Sequence, residues 1–226
     1  MTIVYFLLAA LIGYICGAIP FGYLYVKATK GINILEYGSG RTGGTNTYRA
    51  AGVTAGIVTA LLDVLKGATA VWVTRALFGD TLGQELLPWA LSTAGVMSVI
   101  GHNWSVFLGF RGGAGTGPNV GWAAAIWWPI FPIAFIVMVG MLVGLGMASI
   151  ASLTMALVIP ISFIILYTAG IAGYSATLAY IVGGLASLAI VTWALRTNLK
   201  RVIAGNERLV GPRAKAAERK QQNAKA

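Results

Sequence analysis

Long runs of apolar residues dominate this chain and leave few choices for its fold. A helix that crosses a bilayer needs about 20 such residues. Seven segments approach or exceed that length, approximately over 3–26, 50–77, 86–100, 113–128, 130–146, 150–167 and 176–195. Only 10% of the 226 residues are charged, against about a quarter in soluble proteins. The sequence therefore predicts an all-α polytopic membrane protein with about seven transmembrane helices.

The rest of the chain predicts one domain rather than several. No soluble stretch is long enough to fold beside the apolar runs, so we expect a single membrane-embedded domain over 1–212. Residues 213–226 are basic and lack apolar periodicity, which predicts a tail that is disordered or loosely helical. The first apolar run lacks a basic leading region and is too long for a signal peptide, so we expect a retained helix.

Basic residues determine the predicted orientation, because Lys and Arg collect in cytoplasmic loops. They occur here between 27 and 49, at Arg111 and from Arg196 onward, whereas Asp80 and Glu85 occupy an intervening loop. Seven spans then place the N-terminus outside and the C-terminus in the cytoplasm. A single bent helix across 147–149 would change that count. Topology also accounts for the net charge of +10, and since no nucleic-acid motif accompanies it, we predict no nucleic-acid partner.

Three polar, Gly-rich segments interrupt the apolar runs. The first polar segment covers 38–49, the second 101–117 and the third 198–207. By the predicted topology all three lie on the cytoplasmic face. Their glycines, hydroxyls, amides and cations together favour a phosphate-binding site.

The first polar segment has the composition of an anion site. Its glycines let the backbone approach a ligand closely, and successive exposed N–H groups can bind an anion. Ser39 and Thr45 add neutral donors, and Arg49 supplies a planar fork for bidentate phosphate contact. The alternative is a flexible loop with a topology-determining arginine.

The second polar segment repeats this chemistry around Thr116 and adds the chain's one histidine, His102. It is not a P-loop, because no Lys-Ser or Lys-Thr follows the glycines. His102 is a candidate general acid or base, or a residue that orients a loop by hydrogen bonding to the backbone. We favour the orienting role, since no second histidine or cysteine is at hand. For the same reason we predict no metal site.

Two further sets of polar residues are candidates for structural roles. Asp63 and Lys66 lie one turn apart in the second apolar run, where a structural ion pair is favoured over a proton relay. In the third polar segment, Asn198 can donate and accept, and Glu207 is expected to hold loops together. An interfacial amphipathic helix would explain the nearby cations equally well.

These elements resemble, in order and position, the bacterial acyl-phosphate-dependent glycerol-3-phosphate acyltransferases, the PlsY family. The similarity covers essentially the whole membrane portion. The residues that carry it are Ile19–Leu24, Gly38-Ser39-Gly40, Thr45-Asn46, Arg49, Asp63, Lys66-Gly67, Gly101-His102, Phe110–Gly113, Asn198, Lys200-Arg201, Ala204-Gly205 and Glu207.

The resemblance implies an activity. Members of that family have seven spans and an extracytoplasmic N-terminus, and they transfer a fatty acyl group from acyl phosphate to the 1-hydroxyl of glycerol 3-phosphate. The products are lysophosphatidic acid and phosphate. Ser39, Arg49 and Asn198 match residues important in the family, the glycines of the second polar segment match its glycerol 3-phosphate loop, and Glu207 matches a structural glutamate. Location in a bacterial inner membrane, with the active site facing the cytoplasm, is implied as well.

Each of the three polar segments, or the residues beside it, departs from the family pattern. The second polar segment usually reads Lys-Gly-Gly-Lys-Gly, whereas this chain has Arg111 and then Ala114 at the two lysine positions. Arg41-Thr42 replaces an Asn-Pro pair, and Arg41 is a candidate to supply the charge that Ala114 lacks. Leu195 replaces a histidine three residues before Asn198.

The predicted site follows from these residues. The catalytic candidates are Ser39, Arg49, His102 and Asn198, and the structural candidates are Asp63, Lys66 and Glu207. The substrate-binding candidates are Gly38, Gly40, Arg41, Gly43, Thr45, Asn46, Arg111, Gly112, Gly113, Gly115, Thr116 and Lys200. No cofactor is expected, and the sequence leaves the oligomeric state and the acyl-chain preference open. The alternatives are a small-solute or anion transporter and an inactive family member that binds lipid or phosphate ligands; a transporter should show internal repeats, and none is found.

Overall fold

The computed structural model describes residues 2–171, 173 and 177–223, and ten α-helices account for most of them. Within those residues there is no β-strand, only two isolated bridges. The all-α prediction is confirmed for this part of the chain. The helices are α1 (Thr2–Ala18), α2 (Phe21–Lys30), α3 (Gly44–Ala51), α4 (Val53–Asn103), α5 (Thr116–Ile126), α6 (Ile130–Gly144), α7 (Ala148–Thr168), α8 (Leu178–Ala194), α9 (Arg196–Ile203) and α10 (Pro212–Asn223).

Among the described residues, three helical stretches are long and apolar enough to cross a membrane. They are Thr2–Lys30, Val53–Asn103 and Ala148–Thr168, and a fourth is gained if α8 and α9, bent by 64°, count as one span. Large apolar side chains on α1, including Ile3, Leu7 and Leu11, are exposed, as expected for a surface covered by lipid. Seven spans and the orientation of the termini stay predictions.

Several helix breaks fall where the sequence predicts boundaries. Gly83 (φ 63°, ψ 176°) interrupts α4 between the second and third predicted segments. Gly146 has a φ of 69° and lies between α6 and α7, so the stretch around 147–149 is a break between two helices and not one bent helix. The start of the seventh predicted segment, at Ala176, lies outside the described residues. The predicted tail is helical over Pro212–Asn223.

Helix α4 forms the centre of the molecule and contacts α1, α3, α5 and α8. Glycines allow this packing: a Cβ atom at Gly13, Gly17 or Gly101 would overlap the backbone of the opposite helix across the α1–α4 contact. Gly67 and Gly121 serve the α4–α5 contact in the same way. Small residues of this kind bring helices together in membranes, where apolar surface alone gives no preference for protein over lipid.

An aromatic cluster anchors the helices that support the polar segments. The ring of Phe163 on α7 lies 5.8 Å from that of Trp122 on α5 and 5.5 Å from that of Tyr180 on α8. All three side chains are fully buried. The cluster therefore fixes α5, whose N-terminus follows the glycines of the second polar segment.

Candidate active site

A large, mostly apolar cavity of about 600 Å³ lies among α3, α4, α5, α6 and α7. Its polar part is built from all three polar segments, so the structure brings them together as predicted. The polar residues on its wall include Ser39, Arg41, Thr45, Asn46, Arg49, His102, Thr116, Asn198 and Glu207. Its apolar wall includes Ile57, Leu61, Phe131, Phe135, Met138, Leu142 and Met155.

A second, smaller cavity of about 280 Å³ adjoins the first. Three arginines line it: Arg41, Arg111 and Arg196. Ser39 and Arg41 also line the large cavity, so the two cavities meet at these residues. The other residues around the small cavity are Gly40, Asn103, Trp104, Phe110, Gly112, Gly113 and Ala194.

Three helix N-termini lie on the wall of the large cavity. Residues Gly43–Thr45 begin α3, Thr116 and Gly117 begin α5, and Ala148 and Ser149 begin α7. The first N–H groups of a helix have no partner within the helix, and its dipole makes this end positive. The hydroxyl of Thr116 is also buried without a hydrogen-bond partner in the part of the chain described. The cavity wall is therefore suited to an anion.

Asn46 holds the first polar segment in shape. Its Nδ2 donates to the carbonyl oxygens of Ile34 (3.4 Å), Tyr37 (3.0 Å) and Arg41 (2.8 Å), and its Oδ1 accepts from the N–H of Ser39 (3.0 Å). The residue is 2% exposed. Both amide atoms are thus used by the protein, so Asn46 positions the loop that carries Ser39.

The two arginines of the first polar segment differ in their contacts. Arg41 donates from Nη2 to the carbonyl oxygen of Ala194 (2.5 Å), which ties the segment to the end of α8. Arg49 lines the large cavity, and its guanidinium has no hydrogen-bond partner among the residues that the structure covers. Burial lowers the pKa of both arginines from its usual value, and the Glu207 carboxylate partly opposes this. Both cations have lost water contacts that an anionic ligand would replace.

His102 lies in a buried polar cluster. Its Nδ1 is 3.5 Å from Oδ1 of Asp63, which is 2.9 Å from Nζ of Lys66. Lys66 also donates to the carbonyl oxygen of Ile19 (2.8 Å). The carbonyl oxygen of His102 accepts from the N–H of Gly113 (3.0 Å), and a Cβ atom at Gly113 would overlap Nε2 of the imidazole. His102 therefore joins the α4 ion pair to the glycines of the second polar segment.

The third polar segment is held by Glu207. Its Oε1 accepts from Nδ2 of Asn198 (2.8 Å) and from the hydroxyl of Ser149 (2.9 Å), which connects α9, the following loop and α7. Arg208 donates to the carbonyl oxygen of Gly38 and so joins this loop to the first polar segment. Asn198 faces the large cavity and is oriented by Glu207.

The structure separates Lys200 from the predicted binding site, whereas Leu195, the residue in place of the family histidine, lies beside the site. Lys200 is exposed and lines neither cavity, so the structure does not bring it to the other candidates. Leu195 is buried and packs in the hydrophobic core while also lining the large cavity.

Sequence reasoning missed four residues of this region. The sequence pattern marks Arg196 and Arg208 only as cytoplasmic charges, and it assigns no role to Asn103, which follows His102. Ser149 lies in an apolar stretch without any local signal, and only its contact with Glu207 reveals it. In the part of the chain that is described, no group of three or more His, Cys, Asp or Glu could hold a metal ion.

Comparison with known proteins gives consistent matches. The family model described as glycerol-3-phosphate acyltransferase matches residues 7–205. The glycerol-3-phosphate acyltransferase of Gloeobacter violaceus is 33% identical over 198 residues, which are 88% of this chain and 91% of the relative. Glycerol-3-phosphate acyltransferase 3 of Dehalococcoides mccartyi is 39% identical over 223 residues, 92% of this chain and 97% of the relative.

Two solved structures have a similar fold. One is the crystal structure of PlsY, an integral membrane glycerol 3-phosphate acyltransferase, in its glycerol 3-phosphate form. It is 30% identical with a TM-score of 0.76, covering 91% of this chain and 96% of that one. Its lysophosphatidic acid form is 29% identical with a TM-score of 0.74, covering 91% and 95%.

Proposed function

Because the chain belongs to the glycerol-3-phosphate acyltransferase family, we propose that it transfers a fatty acyl group from acyl phosphate to the 1-hydroxyl of glycerol 3-phosphate. The products are lysophosphatidic acid and inorganic phosphate. The observation that carries the proposal is the meeting of a large apolar cavity and a small cationic one at Ser39 and Arg41. Two such compartments match a lipid-like donor and a small anionic acceptor.

The small cavity is assigned to glycerol 3-phosphate. Each of its three arginines donates one hydrogen bond to a carbonyl oxygen, from Arg41 to Ala194, from Arg111 to Leu35 and from Arg196 to Trp193. A guanidinium has five N–H donors, so each arginine retains donors for a ligand. Planar guanidinium groups suit bidentate binding of phosphate.

The large cavity is assigned to the acyl phosphate. Its apolar wall from α4, α6 and α7 would take the acyl chain, which gains free energy by leaving water. The phosphate would then lie against the N-termini of α3, α5 and α7 and the guanidinium of Arg49. Ala114 and Arg41 both line this cavity, which supports Arg41 as the cation that replaces the family's second lysine.

The proposed chemistry is direct transfer without an acyl-enzyme. The 1-hydroxyl oxygen forms a bond with the carbonyl carbon while the bond from that carbon to the phosphate oxygen breaks, and the hydroxyl proton passes to a substrate phosphate. Alignment of the two reactants supplies roughly 7 to 11 kcal/mol. Backbone N–H groups and arginines would stabilise the oxyanion and the departing phosphate.

Each candidate catalytic residue has a distinct role in this scheme. Ser39 would orient the acceptor hydroxyl between the cavities, and Arg49 and Asn198 would bind the donor from the large cavity. His102 would position the second polar segment through its contacts with Asp63 and Gly113. The clustering of cations around the site fits an active site that faces the cytoplasm from a bacterial inner membrane.

Phosphate release by the purified protein in a lipidic medium tests the proposal. With palmitoyl phosphate, release should require glycerol 3-phosphate, and Ser39→Ala and Arg49→Ala should each lower it at least about 100-fold. Lys200→Ala is the matched control, because this exposed cation lines neither cavity.

Three results would contradict the proposal. Release without the acceptor would indicate a hydrolase. Trapping of an acylated Ser39 during turnover would refute direct transfer. A folded protein that binds both ligands without consuming them would be an inactive family member.

A further inference from the structure

Asn103, at the end of α4, has a buried side-chain amide without hydrogen bonds. The residue is 5% exposed, and neither Nδ2 nor Oδ1 has a partner among the described residues. Leaving a buried donor or acceptor unsatisfied costs about 1 to 3 kcal/mol. This cost applies to both atoms of the Asn103 amide unless they bind a group outside the described residues.

Other buried asparagines nearby do not share this condition. Asn46 uses both amide atoms in hydrogen bonds to the backbone. Oδ1 of Asn119 accepts from Nε1 of Trp122 at 2.8 Å, and only its Nδ2 has no partner among the described residues. Asn103 thus differs from its neighbours in serving no internal contact that explains a polar residue at this position.

Asn103 lies on the wall of the small cavity. Asn103 lines that cavity with Arg41, Arg111 and Gly113. Both amide atoms lie close to Gly115, where an added Cβ atom would be 2.9 Å from Oδ1 and 3.2 Å from Nδ2 of Asn103. The absence of a side chain at Gly115 therefore leaves the space that the amide of Asn103 occupies.

A hydroxyl group can form hydrogen bonds with both atoms of this amide. It can donate to Oδ1 and accept from Nδ2, whereas a phosphate oxygen could only accept. The arginines around the cavity already offer charge to the acceptor's phosphate, and the reacting 1-hydroxyl must point to the junction at Ser39 and Arg41. The 2-hydroxyl is the polar group of the acceptor that still lacks a partner.

We propose that Asn103 binds the 2-hydroxyl of the acceptor and makes the enzyme selective for phosphates that carry two adjacent hydroxyls. The proposal rests on the assignment of the small cavity to glycerol 3-phosphate. A site that contains buried polar groups rejects a substrate without the matching hydroxyl, because those groups are then left unpaired.

The test compares glycerol 3-phosphate with 3-hydroxypropyl phosphate, which lacks only the 2-hydroxyl. With palmitoyl phosphate as donor, kcat/KM of the wild-type protein should fall about tenfold or more for the analogue. Leucine in Asn103→Leu has a similar volume and no amide. In this variant, kcat/KM for glycerol 3-phosphate and for the analogue should lie within about threefold of each other, because the hydrogen bonds that distinguish the two acceptors are lost. Asn103→Ser, with a hydroxyl in place of the amide, should retain part of the preference.

The ratio of kcat/KM for the two acceptors distinguishes a contact with the substrate from a role in folding. Loss of folded protein lowers both kcat/KM values equally and leaves their ratio unchanged. Equal use of both acceptors by the wild-type protein would overturn the proposal without any variant. A preference that persists undiminished in Asn103→Leu would overturn it too. If neither acceptor is acylated, the proposed acyltransferase function fails, and the role of Asn103 fails with it.

Discussion

Arginine and lysine residues of this chain carry the same charge but occupy very different surroundings. Arg49 is partly buried beside a cavity and has a guanidinium without hydrogen bonds to the described residues, whereas Lys200 is exposed and remote from both cavities. The sequence names both as candidates for the site, Arg49 as catalytic and Lys200 as substrate-binding. Only the structure distinguishes a cation that is positioned for a ligand from one that is solvated, since this depends on which segments pack together.

Arg49→Lys tests whether the guanidinium fork matters beyond its charge. Lysine keeps the charge but cannot make a bidentate contact with phosphate. We expect kcat/KM for the acyl donor to fall about 10- to 100-fold, the worth of one charge-assisted hydrogen bond. Lys200→Arg is the control and should change the rate little. An Arg49→Lys enzyme with wild-type kinetics would show that charge alone suffices.

Asn46→Ala tests whether Asn46 positions its loop or binds substrate. Its amide makes four hydrogen bonds to the backbone, so the variant should lower the free energy of unfolding by about 2 to 4 kcal/mol. Thermal unfolding in detergent measures this. An unchanged melting temperature together with a raised KM would instead support the sequence-based prediction that Asn46 contacts a substrate.

At the scale of elements, the site depends on where the helices begin and on the glycines that let neighbouring helices pack closely against each other. The sequence predicted boundaries near Gly83 and Gly146 from the ends of apolar runs, and it left a single bent helix across 147–149 as an alternative. It did not predict that α3, α5 and α7 present their N-termini to one cavity. That convergence follows from long-range packing around α4, which no local pattern encodes.

Gly113→Ala tests the contact between the second polar segment and His102. An added methyl group would overlap Nε2 of the imidazole, so the loop must move away from α4. We expect transfer to fall at least about 100-fold, since small displacements of reactants are costly. Gly140→Ala on α6 is the matched control, because a Cβ atom there meets nothing within 4 Å. Equal activity of the two variants would contradict the proposed positioning role of His102.

At the scale of the whole molecule, the all-α fold and the assembly of the three polar segments could be predicted from the sequence. Apolar runs long enough to span a membrane predict the all-α fold. Glycines, hydroxyls and cations near the helix ends predict that the three polar segments form one site. The division of the site into two cavities could not be predicted. It depends on Arg41 reaching the end of α8 and on Glu207 joining α7 to α9, contacts between residues far apart in the chain.

Labelling with a membrane-impermeant thiol reagent tests the predicted topology. In a Cys16→Ala background, Asp80→Cys should react on intact cells, because the loop near Gly83 is predicted to lie outside. Lys200→Cys should react only after the membrane is opened, because basic segments are retained in the cytoplasm. Both positions are exposed in the folded protein. The reverse pattern would place the active site on the outer face.

The stoichiometry of the products tests the central claim most directly. Purified protein given radiolabelled palmitoyl phosphate and glycerol 3-phosphate should form one lysophosphatidic acid for each phosphate released, without a labelled protein intermediate. This ratio follows if the donor in the large cavity reacts directly with the acceptor in the small one at Ser39 and Arg41. Phosphate release without acylated glycerol phosphate, or accumulation of labelled protein, would contradict the account.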